Sequence, residues 1–396
     1  MKSLKVRLEL NNKQQTLAKK HAGVARYAYN WGKSICDKAI KNKEKRPSAI
    51  DLHKKFVAEE KATKEWLYEV SKCSPQQALR NLHEAYVRMF KVKGSRYPSF
   101  KKRGTKDRFY LEGAITTNGD TIKIPKFGWV KCSEVLPNCN IKNVVISKTA
   151  DQWFVAFKIP FKPEYTNNSK AIVGVDLGIK TLATLSDGKI FNAVKPYRKN
   201  KRKLKILQRK ISKKVKGSNN RKKAVKKVAK LHYKIACIRK DATHKLTTYL
   251  AKNHSEVVIE DLNVSGMSKN HKLASAILDN GFYEFRRQLE YKTQWYGSTL
   301  TIVDRFYPSS KTCSRCGWKN VNLKLSHRTF RCNVCGNVID RDLNAAINLE
   351  KKAGSYPVSA CGVPNQLNAL AFGGTMKQEK NDIPKHLKVQ ECVSFL

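Results

Sequence analysis

The amino-acid sequence predicts an α/β chain with a small β-barrel or sheet ahead of it, and three observations predict this. First, the apolar run Ile172, Val173 and Val175 ends in Asp176, and Val257, Val258 and Ile259 end in Glu260 and Asp261. Strands of open α/β sheets deliver side chains to their carboxyl ends in this way. Second, short β-rich runs recur between Phe109 and Ile159, separated by Gly, Pro and Asn turns. Third, two Cys-x-x-Cys pairs, at Cys313/Cys316 and Cys332/Cys335, mark a small ribbon near the end of the α/β part.

In chain order, Leu4, Val6, Leu8 and Leu10 alternate with Lys5, Arg7 and Glu9, which is a half-buried strand. Asn11 or Asn12 can cap a helix whose apolar residues Leu17, Val24, Tyr27, Ala28, Trp31 and Ile35 recur at helical spacing. A Lys-rich loop with Pro47 leads to a second helix through Phe56 and Val57. Ser74-Pro75-Gln76-Gln77 offers a Ser cap, a first-turn Pro and a Gln for a capping box. The helix it opens is expected to bury Leu79, Leu82, Tyr86 and Phe90. Tyr97 and Phe100 then mix with Lys101, Lys102 and Arg103, a combination of ring faces and charge suited to a nucleic-acid strand. Strands are expected around Phe109 to Ile115, Thr121 to Ile124, Val144 to Lys148 and Trp153 to Ile159. If the first strand joins them, residues 11–94 become a helical insertion. Pro163 to Ser169 reads as a linker.

After Asp176, Thr181 to Leu185 forms a second, antiparallel strand, closed by the turn Ser186-Asp187-Gly188. Lys195 to Lys245 contains 22 Lys or Arg and one acid, Asp241. Within it Leu204, Leu207, Ile211 and Val215 keep helical spacing, as do Val225, Val228, Leu231 or His232, and Ile235 beyond Gly217-Ser218-Asn219-Asn220. Two basic amphipathic helices joined at that turn are expected; the bland alternative is a disordered basic linker. Lys201, Arg202, Lys205, Arg209, Lys222, Lys223, Lys226 and Lys227 would lie along phosphates without reading bases. Phe282 to Tyr296 is a helix stopped by Gly297, and Thr299 to Arg305 a strand. The paired knuckles, each followed by a Gly (Gly317, Gly336), predict a tetrahedral site in which Cys313, Cys316, Cys332 and Cys335 hold one structural Zn²⁺. Asp340 can cap a last helix buried through Leu343, Ala346, Ile347 and Leu349. Residues 353–396 are expected to be disordered.

The chain has 396 residues with 80 Lys+Arg against 31 Asp+Glu, a formal net charge of +49. Self-repulsion on that scale calls for a polyanionic partner, and nucleic acid is the natural one. No apolar run approaches the roughly 18 residues of a membrane-spanning helix. Cysteines scattered outside the two knuckle pairs point to a reducing cytoplasm.

Asp176, one of Glu260 and Asp261, and an acid at the Asp340–Asp342 helix start could share a site. Strand-Asp-x-Gly alone also occurs in ATPases and in plain turns. Three carboxylates held together repel unless divalent cations lie between them, and Mg²⁺ suits oxygen ligands beside phosphates. Two such ions can clamp both oxygens of a phosphodiester displacement.

The stretches IVGVDLGIKTLATLSDG, VVIEDLNVSGM, YEFRRQLEYKTQWYG, PSSKTCSRCG and DRDLNAAINLE resemble the TnpB (OrfB) proteins of insertion sequences, from about Ile172 to Leu349 and in the family's order. The resemblance implies a RuvC-like (RNase H-like) mixed sheet with an inserted basic hairpin and a Cys₄ zinc ribbon. Ahead of it would lie a WED-like β-barrel carrying a REC-like helical insertion. It implies domains at residues 1–10 with 95–165 (barrel), 11–94 (helical), 170–310 with 338–352 (nuclease) and 311–337 (ribbon). The metal-binding acids fall on Asp176, Glu260 and Asp342, with Asp176 bridging two Mg²⁺ ions; Asp261 and Asp340 are left out. The implied function is RNA-guided cleavage of double-stranded target DNA with a bound guide RNA; a monomer with its RNA is the expected state, though the sequence does not fix it. The alternatives are a nuclease-inactive RNA-guided binder and a transposase that joins strands itself.

Overall fold

The computed structural model describes residues 1–353, apart from 105, 164, 166–170 and 325. The expected linker at Pro163 to Ser169 lies largely outside the described residues, and the expected disordered tail lies outside them but for residue 353. Among the described residues no helix is long and apolar enough to cross a membrane.

Strand β1 (Lys2–Glu9) buries Val6 and Leu8 through its alternation. It runs into α1 (Asn12–Lys41), opened by a reciprocal capping box in which Asn11 and Gln14 each bond the other's backbone N–H. Helix α2 (Ala49–Lys55) starts on the Ser48 hydroxyl and ends earlier than expected, because Phe56–Lys61 winds as a π-helix. Helix α3 (Cys73–Lys91) does not use Ser74 as its cap. The helix start is pressed against the barrel, so the Ser74 hydroxyl donates to the Tyr110 carbonyl at 3.3 Å instead. Leu79, Leu82 and Tyr86 are fully buried, but Phe90, in the last turn and outside the core cluster, is 69% exposed.

The chain then forms β2 (Arg108–Asn118), β3 (Thr121–Ile124), β4 (Gly128–Cys132), β5 (Asn140–Thr149) and β6 (Gln152–Ile159). With β1 they close a barrel in the order β1-β4-β3-β2-β5-β6. Closure depends on β1, which pairs antiparallel with β6 from Lys2↔Ile159 to Leu8↔Trp153 and with β4 at Leu8↔Cys132. Helices and barrel share one hydrophobic core.

The second half is a five-stranded mixed sheet of β7 (Val173–Asp176), β8 (Thr181–Leu185), β9 (Ile190–Asn192), β10 (Glu256–Glu260) and β11 (Thr299–Val303). The order is β11-β10-β7-β8-β9, with β11, β10 and β7 parallel and β8 antiparallel to both its neighbours, β7 and β9. Between β9 and β10 comes the basic hairpin, α4 (Pro196–Ser212) and α5 (Asn219–Asn253), turned at a Ser218 cap. Leu204, Leu231 and Ile235 are its buried seam, whereas Val215 and Val225 are exposed. Helix α5 outruns the basic pattern, because Leu246 and Leu250 continue it into the sheet's core. It also touches the barrel, through Lys226–Asp151 at 3.2 Å and the Tyr233–Phe154 ring contact. Short α6 (Val264–Met267) and α7 (Ala274–Asn280) lead to α8 (Phe282–Tyr296), which Gly297 ends at φ 74°. The chain closes with β12 (Thr329–Arg331), β13 (Val338–Asp340) and α9 (Arg341–Glu350). The mixed sheet, basic hairpin, barrel and four-Cys knuckle of the expected fold class are all present.

Candidate active site and zinc ribbon

Strands β7 and β10 are parallel neighbours, with Val257 opposite Val173 and Ile259 opposite Val175. Continuing that register brings Asp176 and Glu260 to the same carboxyl edge of the sheet. Helix α9 lies directly on β7. A Cβ added at Gly174 would sit 1.9 Å from the Ala346 carbonyl oxygen and 2.5 Å from the Glu350 nitrogen. Only glycine admits that approach, and it puts the first turn of α9, with Asp342, at the same edge. The turn is capped by Asp340, which accepts from the Asp342 and Leu343 N–H groups at 2.9 and 3.0 Å. A glycine inside an apolar strand was the one sequence signal for this contact.

Electrostatics ties the three acids together. Asp176 keeps some exposure but is crowded by protein, and that desolvation, then the charges of Glu260 and Asp342, push its carboxyl up to about 8. Arg341 opposes the rise, and its guanidinium also contacts Asp342 at 3.1 Å. Desolvation raises Glu260 as well, against the Ser309 hydroxyl that donates to it at 2.6 Å. Asp261 is a different kind of acid. Desolvation would raise it, but Arg305 and Arg286 both bond it and hold it below the ordinary carboxylate range. A desolvated carboxylate at Asp176, beside the charges of Glu260 and Asp342, fits a hard divalent cation. The three acids are spread wider than the thiols, for among the described residues only the cysteines bring three or more ligating atoms within 4.8 Å.

Those cysteines are Cys313, Cys316, Cys332 and Cys335, a donor set that fits tetrahedral Zn²⁺. The knuckle glycines Gly317 and Gly336 hold φ 80° and 70°, which a side chain resists. Burial would raise the Cys313 thiol, but the N–H groups of Cys316 and Arg315 outweigh it and bring it down to about 6. Cys332 is lowered in the same way, by the N–H groups of Cys335 and Val334.

Sequence reasoning missed how the ribbon holds α9. The helix was expected to bury Leu343 and Ile347, yet these are half-buried, and Asn344 and Asn348 are buried beside Ala345, Ala346 and Leu349. The surface they meet is backbone, not apolar side chains. Asn344 donates to the Thr312 carbonyl at 2.7 Å and accepts from the Ser314 N–H at 2.9 Å. Asn348 donates to the carbonyls of Ser309 and Thr312. Their i, i+4 spacing was the available signal. Asp279 was missed too: almost wholly buried, it accepts from the Tyr197 and Arg198 N–H groups and from Arg239. It therefore caps α4 and ties the hairpin to α7. The next residue, Asn280, donates to the Gly178 carbonyl, two residues past Asp176.

Lys201, Arg202, Lys205, Arg209, Lys222, Lys223, Lys226 and Lys227 are all exposed on the hairpin, with Lys226 also paired to Asp151. Lys101, Lys102 and Arg103 are exposed, but their segment is pinned to α1: Lys101 lies 3.7 Å over the Tyr29 ring and its N–H bonds Asn30.

Residues 152–271 match a family model of OrfB type described as "Probable transposase". Residues 282–349 match one described as "Cas12f1-like, TNB domain". Residues 1–45 match an OrfB "Helix-turn-helix domain" model, although here they form β1 and the single helix α1. The chain is 34% identical to the "Putative RNA-guided DNA endonuclease InsQ" of Escherichia coli (strain K12), covering 97% of this chain and 98% of that one. It is 37% identical to a "Putative RNA-guided DNA endonuclease" of Streptomyces pristinaespiralis, covering 96% of each. The solved structure of the mini-RNA-guided endonuclease CRISPR-Cas_phi3 shares the fold, with a TM-score of 0.51 at 9% identity over 88% of this chain and 92% of that one. Relatives a third identical along nearly their whole length leave one assignment: the chain belongs to the TnpB (OrfB) family.

Proposed function

We propose that this protein is an RNA-guided DNA endonuclease that hydrolyses phosphodiesters at Asp176, Glu260 and Asp342. The observation that carries the reading is geometric: Ile259 lies opposite Val175, so Asp176 and Glu260 end at one edge of the mixed sheet, and the packing of α9 on Gly174 brings Asp342 to that edge. The names of the full-length relatives support the guide RNA and the DNA substrate. The three acids would hold Mg²⁺, two ions per site. When bound, such a pair supplies Lewis acidity to both the attacking and the leaving oxygen of a phosphodiester. The chain's own part is orientation. Ser309 fixes the Glu260 carboxylate, Arg341 offsets charge at Asp342, and Asn344 and Asn348 hold α9 in place. The four cysteines would hold one Zn²⁺ with no open position, so the ribbon is structural. In this reading residues 1–10 with 95–165, and 11–94, grip guide RNA and target duplex. Residues 170–310 with 338–352 cut, the ribbon at 311–337 borders the target, and the protein works in the cytoplasm as a monomer with its RNA.

The test is direct. The RNA that copurifies with the protein is sequenced, and plasmids bearing the matching sequence beside a randomised flank are supplied with Mg²⁺. Base pairing would read the target and the protein a short flanking motif, so a subset of matched plasmids should be cut, none when mismatched and none in EDTA. Matched DNA that is bound but never cut would make the protein an RNA-loaded binder. Ends that are joined would make it a strand transferase.

The hairpin's role has its own test. Reversing Lys222, Lys223 and Lys227 to Glu leaves the Lys226–Asp151 pair intact. RNA binding should weaken for all sequences alike, and the slope of log affinity against log salt should flatten by about 2, at roughly 0.7–0.9 for each phosphate no longer neutralised. An unchanged slope would remove the hairpin from the nucleic acid.

A further inference from the structure

Beside the acids lies a cavity of about 400 Å³ that the hydrolysis itself does not use. Glu260 lines it, together with apolar Leu177 and Leu262 and the ring of Tyr283. Its size lies within the roughly 300–1,000 Å³ of small-molecule sites. Three guanidiniums also line it, yet none is an unmatched cation. Arg286 pairs with Asp261 and Glu290, Arg305 with Asp261, and Arg287 with Glu284. A phosphate would have to compete with carboxylates already in place, whereas an uncharged aromatic ring would not. Phe282, 2% exposed, anchors the start of α8, and Tyr283 beside it is 69% exposed, so its ring is open to stacking. Asn263 uses its carbonyl oxygen to accept from the Gly266 N–H at 2.9 Å, which leaves its amide N–H₂ as a donor for a ring edge.

We infer that this cavity takes one unpaired nucleobase of the DNA strand being cut, stacked on Tyr283, while an adjacent phosphate meets the acids. The inference rests on the endonuclease reading, because only a strand lying across Glu260 brings a base to the cavity. A base must leave its partner to enter, so the cavity favours unpaired DNA at the cut. Stacking on an aromatic side chain tolerates any base, and the Asn263 donor adds a modest preference.

The test uses the full chain with its copurifying RNA and matched DNA whose cut position has been mapped. Abasic sites are placed singly along the nucleotides flanking that position. Tyr283→Ala should slow cutting of intact DNA about tenfold, and Tyr283→Phe, which keeps the ring, should restore most of the rate. At one flanking position the abasic site should slow the wild type by a similar factor and Tyr283→Ala not at all. Losses that multiply at every position would overturn the inference. With Ca²⁺, which holds oxygen ligands more loosely, in place of Mg²⁺, 2-aminopurine at that position should be quenched by the wild-type complex and not by Tyr283→Ala. Equal quenching would also overturn it. A wild type that never cuts matched DNA would sink the endonuclease reading instead, and the fluorescence, scanned over the strand, would still report on the cavity.

Discussion

Replacing Asp176 with Asn should lower cleavage of matched DNA by at least about 10³-fold, since a metal ion's share of transition-state stabilisation is several kcal/mol. Copurifying RNA and binding to matched DNA should persist, because the exchange keeps the side chain's shape and removes only charge. Asp261→Ala should cut far less into the rate: its carboxylate is occupied by Arg286 and Arg305. The same residue makes a prediction about stability with the opposite sign. Asp176 ionises near 3.8 when unperturbed and near about 8 in the fold. The unfolded chain therefore gives up that proton first, and the contribution of Asp176 to metal-free stability is lost as pH rises from about 4 to about 8. Asn has no proton to lose. Without added Mg²⁺ at pH 8, Asp176→Asn should melt at a higher temperature than the wild type, and the gap should close towards pH 4. Added Mg²⁺ should raise the wild type and leave the variant behind. Thermal melts across pH and metal would check both, and cleavage by Asp176→Asn at the wild-type rate would remove this residue from the reaction.

The features legible in the sequence are those whose signal and structure are local. A strand core that ends in a carboxylate specifies both the strand and the acid's position at its end, so Asp176 and Glu260 could be read in place. Asp340 caps α9 through groups two and three residues away, and the knuckles carry their own glycines. What could not be read depends on partners distant in the chain. Ser74 looked like a cap because its neighbours suit one, yet its acceptor is Tyr110, 36 residues on. Asn344 gave no apolar signal, since its partners are backbone groups some 30 residues earlier. Strand β4 turns only Val130 and Cys132 inward, too short an alternation to stand out. Gly174 was visible as a residue, but the helix it admits was not. The acid edge is thus written in short motifs, while the contacts that align it are written in tertiary structure.

Those contacts link the zinc ribbon to the acid edge. Loop residues Ser309 to Ser314 run into the first knuckle, and three of them bond the active-site elements: Ser309 bonds Glu260, and Ser309, Thr312 and Ser314 bond the two asparagines of α9. Structural zinc of this type contributes on the order of 10–16 kcal/mol of apparent binding energy, which in so small a unit is folding energy. Cys332→Ser should therefore lose zinc and unfold the ribbon. Cys332 lies 3.5 Å from Cys316 and belongs to the second knuckle, outside that loop in sequence, so the substitution leaves every residue of the acid edge chemically intact. Cleavage should nevertheless fall by at least ~10-fold, the lower end of what removing a supporting partner does to a metal site. Asn344→Ala should lower cleavage in the same direction with zinc retained, because it cuts the link and spares the ribbon. Elemental analysis gives the metal content, and the matched-plasmid assay gives the rate. Full zinc occupancy in Cys332→Ser would overturn the four-thiolate assignment. Zinc loss with an unchanged cleavage rate would instead show that the acids hold their positions without the ribbon.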